Sequence, residues 1–203
     1  MPSRVAFGSL KEPEENLSRQ LEWHLSVEME EADFKSIEEN IANEMEEKMR
    51  MGKFPAEKRG KMYMPFKPAT MKDPNGGDKR VVKEGFVLVS FKRKHQIMVR
   101  GQSKIQAPPT IWDGSGLNIT NLPNCPEPGN GSIVVVRYQP YAYDNVQVGV
   151  QLQLIGVQIV ELKEYKDEPM EAIDGAFRVE ETQDSISSLL DSEPEACGIA
   201  VPD

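Results

Sequence analysis

Val148, Val150, Leu152 and Leu154 alternate with Gly149, Gln151 and Gln153, a period of two that puts one set on a buried sheet face and the other on an open one. Runs of this β type dominate from Phe86 onward. Phe86 to Phe91 reads as an apolar strand, and Gln96 to Arg100 as a second, shorter one. Ile133 to Tyr138 is an apolar, largely β-branched run, expected to be a strand buried on both faces. Val157 to Leu162 closes the set after Gly156, whose missing side chain suits a bulge or sharp bend. Upstream, Leu21, Trp23, Leu25 and Val27 alternate with Glu22, His24, Ser26 and Glu28, which predicts a half-buried strand with Trp23 inside and His24 at the surface. The period then changes. Phe34, Ile37, Ile41, Met45 and Met49 recur at three- and four-residue steps among glutamates, predicting an amphipathic helix over 31–50. Its glutamate face is expected to be solvated, and Gly52 followed by Pro55 stops it. Short strands with turn signals and one helix predict a mainly β (α+β) domain, built as a small barrel or sandwich.

The remaining segments carry weaker patterns. Residues 1–18 are polar, with one short strand around Val5–Phe7 at most, and 53–85 read as irregular, with a turn from Asp73 to Gly77. Residues 1–166 are expected to form a single domain. Residues 167–203 are rich in acids, Ser and Pro, with Phe177 and Leu189–Leu190 as their main apolar groups, and are expected to be a disordered acidic tail. No apolar run approaches a membrane span, and no secretory leader is expected from the first thirty residues. Cys125 and Cys197 are the only cysteines and His24 and His95 the only histidines, so neither a disulfide framework nor a zinc site is expected.

The net charge of −9 conceals a segregation. Residues 167–203 hold eleven acids against Arg178 alone, whereas residues 53–104 hold fourteen Lys and Arg against four acids. Such blocks say more than the total. A single strand of nucleic acid needs cations along its phosphates and flat rings for its unpaired bases. One stretch offering both comprises Phe91, Lys92, Arg93, Lys94, Arg100 and Lys104; a second comprises Arg137, Tyr138, Tyr141 and Tyr143, and Trp112 lies between them in the chain. The competing expectation for the first is a solubilised hairpin, and for the second one or two core tyrosines. The tail, through acids such as Asp184, Asp191, Glu193, Glu195 and Asp203, could occupy a basic groove or be offered to partners. A flexible tail of this length spans roughly 30–36 Å, against a core radius of gyration of about 15 Å, so it reaches any face.

The segments EGFVLVSFKRK, PPTIWDGSGLNI, GNGSIVVVRYQPYAYDN and GVQLQLIGVQIVEL, preceded by FKPATMKDPNG, resemble the single-stranded-DNA-binding proteins of tailed phages. That resemblance implies an oligonucleotide-binding (OB-fold-like) barrel with an acidic C-terminal tail and a role in phage DNA replication, recombination and repair. It further implies contacts between the tail and replication proteins such as polymerase or helicase–primase, a possible homodimer, no cofactor, no catalytic or metal-binding residue, no membrane partner, and a place in the cytoplasm of the infected bacterium. The helix at 31–50 follows an early strand, which is not where a standard barrel of this class has its helix, so a permuted or elaborated barrel is expected. Two other classes compete. Asp144, Glu161 and Lys163 have the loose spacing of an Mg-dependent nuclease, and a β-rich core with an acidic tail also suits a virion or scaffold protein.

Overall fold

The computed structural model describes residues 1–54, 62–74, 76, 79–144 and 148–163. Its elements are β1 (Pro2–Glu15), β2 (Leu21–Glu30), α1 (Glu31–Arg50), β3 (Phe66–Lys72), β4 (Arg80–Lys94), β5 (Gln96–Val99), β6 (Gln102–Ile105), β7 (Thr110–Trp112), β8 (Ile133–Asp144) and β9 (Val148–Glu161). The reading of 167–203 as a disordered tail lies outside the described residues, as does Cys197.

Five strands close on themselves in the order β1-β2-β4-β9-β8 and back to β1. Every neighbouring pair in that ring is antiparallel except β4 and β9, which run parallel where Phe91 meets Leu152 and Lys92 meets Gln153. Numbered as barrel strands this is 1-2-3-5-4-1, an oligonucleotide-binding barrel. The topology is elaborated rather than permuted: α1 is inserted between the second and third barrel strands. β3 pairs with the first part of β4, and β7 with β9 at Gly156–Gln158, so each extends one edge of a barrel strand.

The alternation predicted for β9 is realised. Val148, Val150, Leu152 and Leu154 are all buried, packed with Val5, Leu25, Val27, Val89, Phe91 and Val134 in the barrel interior. The phase then shifts, because Ile155 is an extra residue between the pairs Tyr138–Leu154 and Arg137–Gly156. Beyond this bulge Val157 and Ile159 face inward. Gly156 is required here for space: a Cβ would lie 2.4 Å from both the Thr110 carbonyl oxygen and the Trp112 ring. Gly156→Val should therefore force β7 away from β9 at a cost of about 3 kcal/mol, a fall in melting temperature of roughly 6–12 °C. Thermal unfolding followed by circular dichroism checks it, and an unchanged midpoint would refute the packing argument.

The helix occupies the predicted span and buries Phe34, Ile37 and Ile41 against the barrel, with Glu31 and Asp33 in its first turn and Lys48 and Arg50 in its last. These charges suit the helix dipole at each end. Its glutamate face is not wholly solvated as expected: Glu44 accepts a hydrogen bond from the Ala142 amide at 3.2 Å, which ties the helix to β8. Among the described residues no helix is long and apolar enough to cross a membrane.

Three other expectations need correction. The N-terminal segment is a fourteen-residue strand, not a short one. Much of the segment read as irregular, 53–85, is β3 and the start of β4, around a turn in which Gly76 donates to the Asp73 carbonyl. The run from Ile133 to Tyr138 is not buried on both faces: Val134 is buried but Arg137 is exposed.

Candidate nucleic-acid interface

The outer surface of the barrel is assembled by strand register. Ser9 pairs with His24, His24 with Lys92, Lys92 with Gln153, and Gln153 with Gln139. This transverse row takes one residue from each of β1, β2, β4, β9 and β8, and residues in register on neighbouring strands point to the same side. Next to it on the β8–β9 ladder are the pairs Tyr141–Gln151 and Tyr143–Gly149 on one side and Arg137–Gly156 on the other. The outward residues here, Arg137, Gln139, Tyr141, Tyr143, Gln151, Gln153 and Gln158, include no carboxylate.

The rings on this face occupy distinct settings. Tyr141 is 54% exposed. Tyr143 is half-buried, and burial, reinforced by Tyr63, raises its phenol above the ordinary value. Tyr143 and the Tyr63 backbone close on the space left by Gly149, where a Cβ would lie 2.8 Å from the Tyr143 hydroxyl and 2.8 Å from the Tyr63 Cβ. Trp112 lies across Gly156, whose β8 partner is Arg137. An indole and a guanidinium thus flank one glycine.

The cations are more divided than their adjacency in sequence suggests. Lys92 faces outward and donates to Glu22 Oε1 at 2.8 Å. Glu22 is itself largely buried and accepts at 3.0 Å from Asn16, whose own side-chain oxygen receives the Ser18 and Gln20 amides. One carboxylate therefore holds both Lys92 and the loop joining β1 to β2. Arg93 points to the opposite side of β4, donating from Nε to the Ala107 carbonyl at 2.8 Å and from an NH to the Leu154 carbonyl at 3.3 Å. Burial depresses its guanidinium pKa, and its role is to fasten the segment before β7 to the barrel. Lys94 is exposed. Arg100 and Lys104 stand apart on the β5–β6 hairpin.

Phe91 is a correction. It is 1% exposed and belongs to the core, so it offers no face for stacking. Tyr138 packs on it at a ring separation of 5.4 Å, and its hydroxyl accepts from Asn40 at 3.0 Å, placing it on the inward side. The proposed carboxylate–lysine metal site is also excluded. Asp144 and Glu161 sit at opposite ends of the β8–β9 ladder, and thirteen residues of β9 at about 3.3 Å each separate their ends by roughly 40 Å. Among the described residues no cluster of His, Cys, Asp and Glu could hold a metal ion. The tail positions Asp184, Asp191, Glu193, Glu195 and Asp203 lie outside the described residues.

Tyr63 and the glutamines were not named as site residues from the sequence, and His24 was placed only at the surface. Gln151 and Gln153 carried a signal, since the period of two assigned them to the open face. Tyr63 had none, because it reaches Gly149 through an isolated bridge from outside the regular strands.

No protein-family model and no curated protein sequence matches the chain. Solved structures do. The single-stranded DNA binding protein gp2.5 of bacteriophage T7 is 19% identical, with a TM-score of 0.58 over 85% of this chain and 96% of that one. The single-stranded DNA-binding protein of bacteriophage Enc34 is 13% identical, with a TM-score of 0.52 over 85% of this chain and 84% of that one. Its complex with single-stranded DNA is 14% identical at a TM-score of 0.50, over 83% and 86%. At these identities the likeness is one of backbone architecture, and the chain shares the oligonucleotide-binding barrel of these phage proteins.

Proposed function

We propose that this protein binds single-stranded DNA, largely without sequence preference and without catalysing a reaction, on the outer face of β2, β4, β9 and β8. The observation that carries the reading is the carboxylate-free β8–β9 surface of Arg137, four glutamines and two tyrosines, joined through Gln153 to Lys92. Cations follow a phosphate chain, exposed rings stack on any base, and neither demands a particular sequence. Oligonucleotide-binding barrels receive their ligands on the second and third strands, between the loops following the first and fourth strands. Here those strands are β2 and β4, and the tyrosine-bearing surface of β8 and β9 adjoins that face through the Lys92–Gln153 pair. The likeness to the phage proteins supports the same ligand.

Within this reading, phosphates are met by Lys92, Lys94, Arg100, Lys104 and Arg137, with Arg93 held at the rim. Bases stack on Tyr141, Tyr143 and Trp112. The finer parts are extensions of the proposal: a role in phage DNA replication, recombination and repair in the infected bacterial cytoplasm, and an acidic tail that competes for the groove and contacts replication proteins. The test is fluorescence anisotropy of a labelled oligothymidylate. For the chain ended at Lys166, neutralising about four phosphates makes log K fall with log salt at a slope near −2.8. A flat salt response would remove the electrostatic basis of the proposal.

A further inference from the structure

β5 and β6 form a two-stranded sheet of their own, with no ladder to the barrel. Among the described residues its backbone joins the barrel at the base, where the His95 amide donates to the Leu21 carbonyl, and the Gln106 amide closes the hairpin by donating to the His95 carbonyl. His95 also packs on Trp23 at 5.4 Å. At the tip, Arg100 and Gly101 have φ of 51° and 81°, between the paired Val99 and Gln102. Positive φ at both central residues is the type I′ turn, whose twist matches that of the flanking strands. The hairpin is thus preformed, although among the described residues none of its side chains is buried.

Its side chains do not suit a structure meant only for water. Met98 is 69%, Ile105 67% and Val99 44% exposed. Register puts Met98 and Ile105 on one face and Val99 with Lys104 on the other. An isolated two-stranded hairpin is at best marginal in water, and here its apolar side chains are uncovered. Along the chain the charge has one sign: no Asp or Glu occurs between Glu84 and Asp113, while Lys92, Arg93, Lys94, Arg100 and Lys104 do. The hairpin also continues directly from the end of β4, where Lys92 and Lys94 begin the proposed binding face.

We propose that the β5–β6 hairpin is a finger inserted among the bases of bound single-stranded DNA, with Met98 and Ile105 on one face and Val99 on the other wedged against unstacked bases and Arg100 and Lys104 on the flanking phosphates. This rests on the single-strand reading above and adds a second contact region to it. Aliphatic side chains are established wedges between bases, and a polyanion carrying apolar ring faces complements a cationic, apolar, acid-free arm on both counts. The contact contributes an affinity component that salt does not screen.

The test is the full-length triple variant Met98→Ser, Val99→Ser, Ile105→Ser, which retains both cations. No residue of this hairpin belongs to the core cluster, so its thermal unfolding should match the parent. Oligothymidylate affinity should fall about tenfold with an unchanged salt slope, and the fluorescence rise of a 2-aminopurine oligonucleotide on binding should diminish. The variant Met98→Leu, Ile105→Val should keep both, separating lost apolar contact from a frayed hairpin. Arg100→Ala with Lys104→Ala should instead make the slope shallower by about 1.4. If the serine variant binds like the parent while the parent binds well, the finger is refuted and the barrel-face reading stands. If the parent does not bind the oligonucleotide, the underlying reading fails and the finger with it.

Discussion

Tyr141→Ala combined with Arg137→Ala is expected to weaken oligothymidylate binding about 100-fold in 0.1 M salt. The two substitutions act through different terms. Stacking of a base on an exposed ring is worth roughly 1–3 kcal/mol, so losing Tyr141 costs about 30-fold and leaves the salt slope unchanged. Losing Arg137 removes one phosphate contact, which at this salt costs about fivefold and makes the slope shallower by about 0.7. Both side chains are exposed, and Tyr141 pairs with Gln151 and Arg137 with Gly156 through the backbone, which the substitutions leave intact. The melting temperature should therefore hold. Anisotropy titrations of both single variants and the double variant at several salt concentrations check the partition. Parental affinity in the double variant would remove β8 from the binding surface.

The sequence disclosed the parts of the fold that rest on local periodicity and concealed those that do not. α1 and β9 bury regular sets of side chains, as in the alternation of Leu152 with Gln153, whereas β2 buries Trp23, Leu25 and Val27 as the period predicts but also covers Glu22 and Ser26 on its other face and leaves Leu21 exposed. β1 was hidden because Lys11, Glu12, Glu14 and Glu15 occupy its second half and its register with β2 breaks between Ser9 and Glu14. β3 is an edge strand carrying Pro68, with Ala69 its one buried residue, so no period could form. The closure of the barrel was also illegible. It rests on two parallel pairs, Phe91–Leu152 and Lys92–Gln153, between segments about sixty residues apart.

The site was legible to the extent that the pleat was respected. Lys92, Arg93 and Lys94 look like one cationic cluster in the chain, but successive strand residues face opposite ways. That separates Arg93, pinned to backbone carbonyls, from its two outward neighbours. The same rule takes Phe91 inward with Val87 and Val89. It also puts Tyr141 and Tyr143 on one face with Arg137, and Tyr138 on the other. The partnership of Lys92 with Glu22 depended on the pairing of β2 with β4 and on the loop that Asn16 folds, and neither is written in adjacent residues.

Removing residues 167–203 should tighten binding of single-stranded DNA about tenfold at low salt, the opposite sign to every substitution on the barrel. The removed segment carries eleven acids and one arginine, and it is tethered to the cations for which it is proposed to compete. Tethering in the same chain gives an effective concentration on the order of millimolar. A non-specific polyanion contact has a dissociation constant on the order of 0.1 mM, so under the proposed competition the tail would hold the groove about nine-tenths of the time and cost DNA about tenfold. DNA entering the full chain recovers cations already neutralised by the tail, so fewer counterions are released. The full chain should therefore show a shallower salt slope than the −2.8 of the chain ended at Lys166. The two affinities should converge near 1 M salt, where the screening length falls to about 3 Å. Parallel titrations of both forms across salt provide the measurement. Identical affinities at low salt would mean that the acids of the tail never occupy the barrel face.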